Sequence, residues 1–305
     1  MGCGNTNLKE GTIMKIEIET IKDSEDYIHY LIETASQWWL ILFNIRKKSF
    51  ITLKLENEML ESDCESVLSS DGLYCSGGME KYNHIKTSKK TNKVYFNTKS
   101  ALAVSLAVMK DSRRKHAFIG VNGNMLCALG GYKTKNDILS SCEVYNIKKN
   151  TWQVIESMNY ARACAAACSF QERVVFIFGE AKNNSGISLI IESRDFSKVK
   201  EPWTVVSYTT DSSQIDPEKL WCTQINTDEI IIFDKENITI FNAIKSQLCT
   251  EKQSNTQEKY LPDKRGQIKE YEGEVFMILE TRGDVGIYSL NDKKWTFQPH
   301  ILLDL

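Results

Sequence analysis

Residues 116–154 read HAFIGVNGNMLCALGGYKTKNDILSSCEVYNIKKNTWQV, and this stretch decides the fold. Four short strands are expected in it. Residues 116–121 meet 124–129 across Asn122-Gly123, and an Asn-Gly pair between apolar runs signals a tight hairpin because both turn residues need positive φ. Residues 125–129 form a nearly unbroken apolar run that stops at Gly130-Gly131, which suits a strand buried on both faces. Residues 142–147 and 151–154 make a second hairpin around 148–150, with Tyr145 and Trp152 as aromatic anchors. The result is one four-stranded antiparallel unit.

Such a unit cannot bury both faces alone, so copies of it are required. The second hairpin recurs as LILFNIRKKSFITL from Leu40, KVYFNTKSAL from Lys93, IIESRDF from Ile190 with a late Trp203, ITIFNAIKSQLC from Ile238, and GIYSLNDKKWTF from Gly286. With Phe43, Phe96, Tyr145, Ser193, Phe241 and Tyr288 as anchors, the steps are 53, 49, 48, 48 and 47 residues. Phe50, Trp152, Leu248 and Trp295 follow their anchors by seven places, toward the end of the same hairpin. A buried run precedes each copy, ending in Gly77-Gly78 and Gly130-Gly131 in two of them and in Gly179-Glu180 in a third. Six repeats of this length predict a ring of sheets.

The apolar run with Gly-Gly, the tyrosine about fourteen residues later and the tryptophan seven beyond it resemble the kelch repeat, as in Gly130-Gly131, Tyr145 and Trp152. The resemblance implies an all-β, six-bladed β-propeller with four antiparallel strands per blade, the first strand of each lining a central channel. The expected blades are 13–55, 65–108, 116–154, 163–206, 220–250 and 266–298, in a single propeller domain over 13–305 that follows a flexible segment, 1–12. Blade one is expected to open with the alternating IMKIEIETI from Ile13. Closure by blade packing with help from the tail, or by exchange of a terminal strand, are both open.

The composition fits one large all-β domain. A net charge of -2 over 305 residues gives no overall pull toward nucleic acid, and no aromatics interleave with the basic loops as base stacking requires. Nine cysteines, an odd number, point to a reduced, cytoplasmic setting. Cys164 and Cys168 are too far apart along a strand for a disulfide and lack neighbouring metal ligands, so both are expected to act as small core residues. The four histidines at 29, 84, 116 and 300 are scattered, and His29 is expected to be a satisfied core residue. No metal or cofactor is expected.

Met1-Gly2-Cys3-Gly4-Asn5-Thr6 fits an N-myristoylation signal, with Gly2 as acceptor and Cys3 placed for palmitoylation. Two acyl chains would hold the protein at the cytoplasmic face of a membrane, where one chain binds only marginally. Strand counting places the loop between strands two and three on the same side of the ring as the link to the next blade. Lys86, Lys89, Lys90 and Lys93 belong to that loop in blade two, and Arg113, Arg114 and Lys115 to the link into blade three. These residues are candidates for a membrane surface or for a protein partner with an acidic segment; solvated loops are the plain alternative. The kelch resemblance implies mostly non-catalytic protein binding, with an arginine just before strand one gripping partner carboxylates. Arg113 or Arg114 and Arg162 hold that place, and Arg162 as a loop cap is the competing role. The alternative function is a kelch-type enzyme with its site at the channel mouth.

Overall fold

A computed structural model describes residues 26–34, 37–80, 83–183, 186–198, 200–210, 220–234, 237–252, 267–279 and 284–300 of the chain. They form a six-bladed β-propeller. Blade one contributes Tyr27–Glu33, Trp38–Asn44 and Ser49–Lys54, paired in that order. Its expected opening strand from Ile13, like the acylation signal at Gly2 and Cys3, lies outside the described residues. Blade two is Glu65–Ser69, Gly72–Ser76, Thr91–Phe96 and Ala101–Ser105; blade three is Ala117–Val121, Met125–Leu129, Cys142–Asn146 and Thr151–Ile155. Blade four is Ala166–Phe170, Val174–Asn183, Gly186–Asp195 and Thr204–Val205. Blade five is Trp221–Gln224, Glu229–Phe233, Asn237–Asn242 and Gln247–Lys252, and blade six is Ile268–Tyr271, Glu274–Ile278, Val285–Ser289 and Lys294–Gln298.

Alternation of side chains along each strand explains why the sheets stack. Both faces of every second strand are apolar, so each blade has to cover its neighbour. The outcome is six hydrophobic clusters, each shared by two adjacent blades, including one between blade six and blade one. One position of the second strand recurs in all six blades as Ile28, Leu73, Leu126, Val175, Ile230 and Val275, and none is more than 1% exposed. Burial of side chains of this size stabilises by about 1.5–3 kcal/mol apiece.

The anchor pairs fall opposite each other. Phe43 pairs with Phe50, Tyr145 with Trp152, Phe241 with Leu248 and Tyr288 with Trp295. Two of the expected anchors shift. Val94, not Phe96, faces Leu73 as Tyr145 faces Leu126. In blade four Arg194, not Ser193, faces Val175.

Three features depart from a plain four-stranded repeat. Gly77 and Gly78 (φ 65° and 98°) and Gly130 and Gly131 (φ 63° and 98°) turn the chain sharply off the second strand. Beyond them, the expected loops carry small ladders of their own, Met79–Glu80 with Asn83–Thr87 and Tyr132–Thr134 with Asp137–Ile138. In blade four Gly179 has no positive φ, and the strand runs straight through it, pairing Gly179 with Ile190 in a ten-residue ribbon. Finally, Thr209–Thr210 of the link to blade five runs parallel to Gln247–Lys252 and adds a fifth strand at that sheet's outer edge.

Ring closure rests on packing between blades six and one, with help from the chain just past the last strand. Gln298 Nε2 donates to Lys48 O at 2.6 Å, and His300 Nε2 lies 3.0 Å from Thr52 Oγ1 with its ring 4.5 Å from Phe50. Residues 301–305 lie outside the described residues.

Candidate functional site

The links between blades and the loops after each second strand gather on one side of the ring, and backbone bonds tie them together. Gly78 N donates to Arg113 O and Gly131 N to Arg162 O, both at 2.9 Å, while Arg114 and Tyr132 exchange a pair of bonds. Thr87 Oγ1 donates to Lys133 O at 2.6 Å, joining the small ladders of blades two and three. A left-handed residue precedes strand one in three successive blades: Asp63, Lys115 and Cys164, with φ of 57°, 50° and 59°. There the chain swings from the rim into the channel wall.

The framework under this face is ionic. Arg113 is fully buried and donates to Gly130 O at 2.8 Å, Ser141 O at 2.9 Å and Glu143 Oε1 at 2.8 Å. The Glu143 carboxylate also accepts from Lys110 N and Asp111 N, at 2.7 and 3.0 Å. Blade four repeats the device at the same spacing: Arg162 donates to Ile190 O at 2.8 Å and Glu192 Oε1 at 2.5 Å, and Glu192 accepts from Asn159 N at 2.7 Å and Tyr160 N at 3.2 Å. Each carboxylate thus clamps the incoming link, and each guanidinium bridges link and blade. In blade two the matching place holds Glu61, buried and ion-paired with Lys90.

These contacts sort the residues singled out from the sequence. Arg113 and Arg162 lie in the interior, where their forks are filled by their own blades. Lys93 is buried too; its ammonium turns to Asp71 at 2.7 Å on the opposite side of the ring and sits over the Tyr74 and Tyr95 rings. The remaining candidates do reach the face. Lys86 (paired with Glu80 at 2.9 Å), Lys89 and Lys90 are exposed, and Arg114 and Lys115 are half-buried, Arg114 lying over the Tyr132 ring. Lys110, in the same basic link, and Lys133 and Lys135, which the sequence pattern does not single out, are exposed on the same side. Exposed pairs such as Lys86–Glu80 are worth little in stability, so the lysines remain available to a ligand.

The channel is lined by first strands and encloses a cavity of about 290 Å³, walled by small side chains such as Ala166, Cys168 and Cys222 together with Lys115, His116 and Gln267. His116 Nε2 is 2.8 Å from Ser76 Oγ, and burial together with nearby Arg113 pushes its pKa well down. His29 is a satisfied core residue, its Nδ1 3.0 Å from Gln267 Oε1 and its Nε2 2.8 Å from Ser66 Oγ, so it bridges three blades. Burial lowers its pKa to about 4.

A pH dependence follows. The folded pKa of His29 lies below the unfolded value, so the unfolded chain binds the proton more readily. The stability it contributes is present above pH 6.5 and is lost as pH falls toward 4, by about 3 kcal/mol in all at ~1.4 kcal/mol per pKa unit. Urea unfolding across that window should show the wild type losing about this much more than His29→Gln; parallel curves would exclude the linkage.

Among the described residues no three His, Cys, Asp or Glu side chains are grouped as a metal ion would need. No curated protein matches the chain. Residues 113–159, the link into blade three together with that blade, match the family model described as the Kelch motif. The chain is a six-bladed β-propeller whose third blade carries a kelch motif.

Proposed function

We propose that the chain is a non-catalytic protein-interaction scaffold, tethered to the cytoplasmic face of a membrane by acyl groups on Gly2 and Cys3, whose partner presents an acidic segment to the face of blades two and three. The observation that carries this reading is the division of labour among the basic residues. Arg113 and Arg162 stiffen the links from inside, while Lys86, Lys89, Lys90, Lys110, Lys133 and Lys135 stand on the outer surface of the same loops. Glu80, Glu61 and Asp111 balance Lys86, Lys90 and Lys133. Lys89, Lys110 and Lys135 are in excess, beside half-buried Arg114. A carboxylate-rich segment laid across this surface would gain charge-assisted bonds and lose them as salt rises.

One set of proteins tests both halves: wild type, Gly2→Ala, and Lys89→Glu/Lys110→Glu/Lys135→Glu, each expressed with a clickable myristate analogue and assayed with a fluorescent Glu-rich peptide. Gly2→Ala should lose label and membrane fraction and keep peptide binding. The charge-reversed protein should keep its label and bind the peptide at least about tenfold more weakly. An unlabelled wild type would remove the tether; unchanged peptide affinity would remove the surface.

A further inference from the structure

Cys168 and Cys222 sit on the innermost strands of neighbouring blades, Ala166–Phe170 of blade four and Trp221–Gln224 of blade five. Both are buried in the cluster that joins the two blades, both line the central cavity, and the Cys168 thiol is near enough to raise the pKa of Cys222. A disulfide would bring the two Sγ atoms to about 2.0 Å across the seam between these strands. We propose that Cys168 and Cys222 form a redox pair, oxidised by a peroxide entering the cavity to a disulfide that staples blade four to blade five.

The chemistry balances in two steps. One Sγ attacks a peroxide oxygen, the O–O bond breaks, and with the thiol proton transferred the products are a sulfenic acid and water. The other Sγ then attacks the sulfenic sulfur, the S–O bond breaks, and the oxygen leaves as a second water carrying the second thiol's proton. Two thiols lose two electrons, and hydrogen peroxide becomes two waters. A small dithiol reverses the change. Burial and the neighbouring Cys168 hold the Cys222 thiol well above its ordinary pKa, which makes the first step slow and sets the pair to respond to sustained, not passing, oxidant.

The fold supplies a control. Cys64 and Cys75 are also buried in one cluster, with Cys64 near enough to raise the pKa of Cys75, but both belong to blade two or its incoming link and neither lines the cavity. Proximity alone therefore predicts two disulfides; proximity with access through the channel predicts one.

The test treats the whole protein, carrying Cys164→Ser to keep peptide assignment clean, with millimolar hydrogen peroxide, then alkylates it and maps peptides without reduction. The expected result is a Cys168–Cys222 linked pair, a loss of 2 Da reversed by dithiothreitol, and a thermal midpoint raised by about 5 °C. Adding Cys222→Ala should abolish all three. No linked pair under conditions that oxidise exposed Cys249 would overturn the proposal, and so would linkage of Cys64 to Cys75 alone.

Discussion

Glu192→Ala should destabilise the protein by about 3–5 kcal/mol, the expected cost of stranding a buried charge. Arg162 and Glu192 are both essentially inaccessible to solvent, so the guanidinium would lose its counter-charge in the interior. Burial already lowers the Arg162 pKa despite the neighbouring carboxylate, so desolvation is the larger influence on this guanidinium. The variant also orphans the Asn159 and Tyr160 amides that Glu192 receives, loosening the link from blade three to blade four. The double variant Arg162→Met/Glu192→Leu removes both charges and should recover most of the loss, because desolvation of an ion pair offsets much of its attraction. Urea unfolding of wild type, single and double variants measures this. A single variant as stable as wild type would mean that the pair is not buried in solution. A double variant as unstable as the single would mean that the geometry of the clamp, and not the uncompensated charge, holds the link.

The clamp marks the limit of what could be read from the chain. The ring itself was legible, because aromatic anchors such as Tyr145–Trp152 and Tyr288–Trp295 are large and sit seven residues apart across a tight turn. Gly77-Gly78 and Gly130-Gly131 were legible for the same local reason, since only glycine enters those conformations cheaply. The kelch resemblance points Arg113 or Arg114 and Arg162 at a partner's carboxylates, with loop capping as the competing role for Arg162, and no local pattern in the chain separates the two. Their carboxylates lie thirty residues away, outside any short-range pattern: Arg113 with Glu143, Arg162 with Glu192. The constant offset in consecutive repeats was the available signal. Lys93 misled similarly, since its partner Asp71 precedes it by two strands. The extended ribbon of blade four was hidden in a single substitution, Gly179-Glu180 where blades two and three have Gly-Gly.

Gly130→Ala should cost about 3–5 kcal/mol, several times the effect of alanine at Gly123, although both glycines have nearly the same φ, 63° and 61°. Left-handed backbone costs a non-glycine residue about 1–2 kcal/mol wherever it occurs, and Gly123→Ala, with nothing within 4 Å of the added carbon, should show only that. At Gly130 the new Cβ would stand 2.3 Å from Arg162 O and 3.1 Å from Leu139 O. The first of these is backbone that already accepts Gly131 N at 2.9 Å, so no side chain can swing aside. Either the second strand's end or the link into blade four has to move. Both carry the candidate face, so the loss should extend to function: Gly130→Ala should weaken the Glu-rich peptide even where it remains folded, while Gly123→Ala, on the opposite side of the ring, should leave affinity unchanged. Chemical denaturation of the two variants, with peptide titration below the onset of unfolding, separates these effects. Equal costs at the two positions would show that the link does not press against the diglycine. Intact peptide binding in Gly130→Ala would instead detach the acidic-segment surface from the turn that positions Lys133 and Lys135.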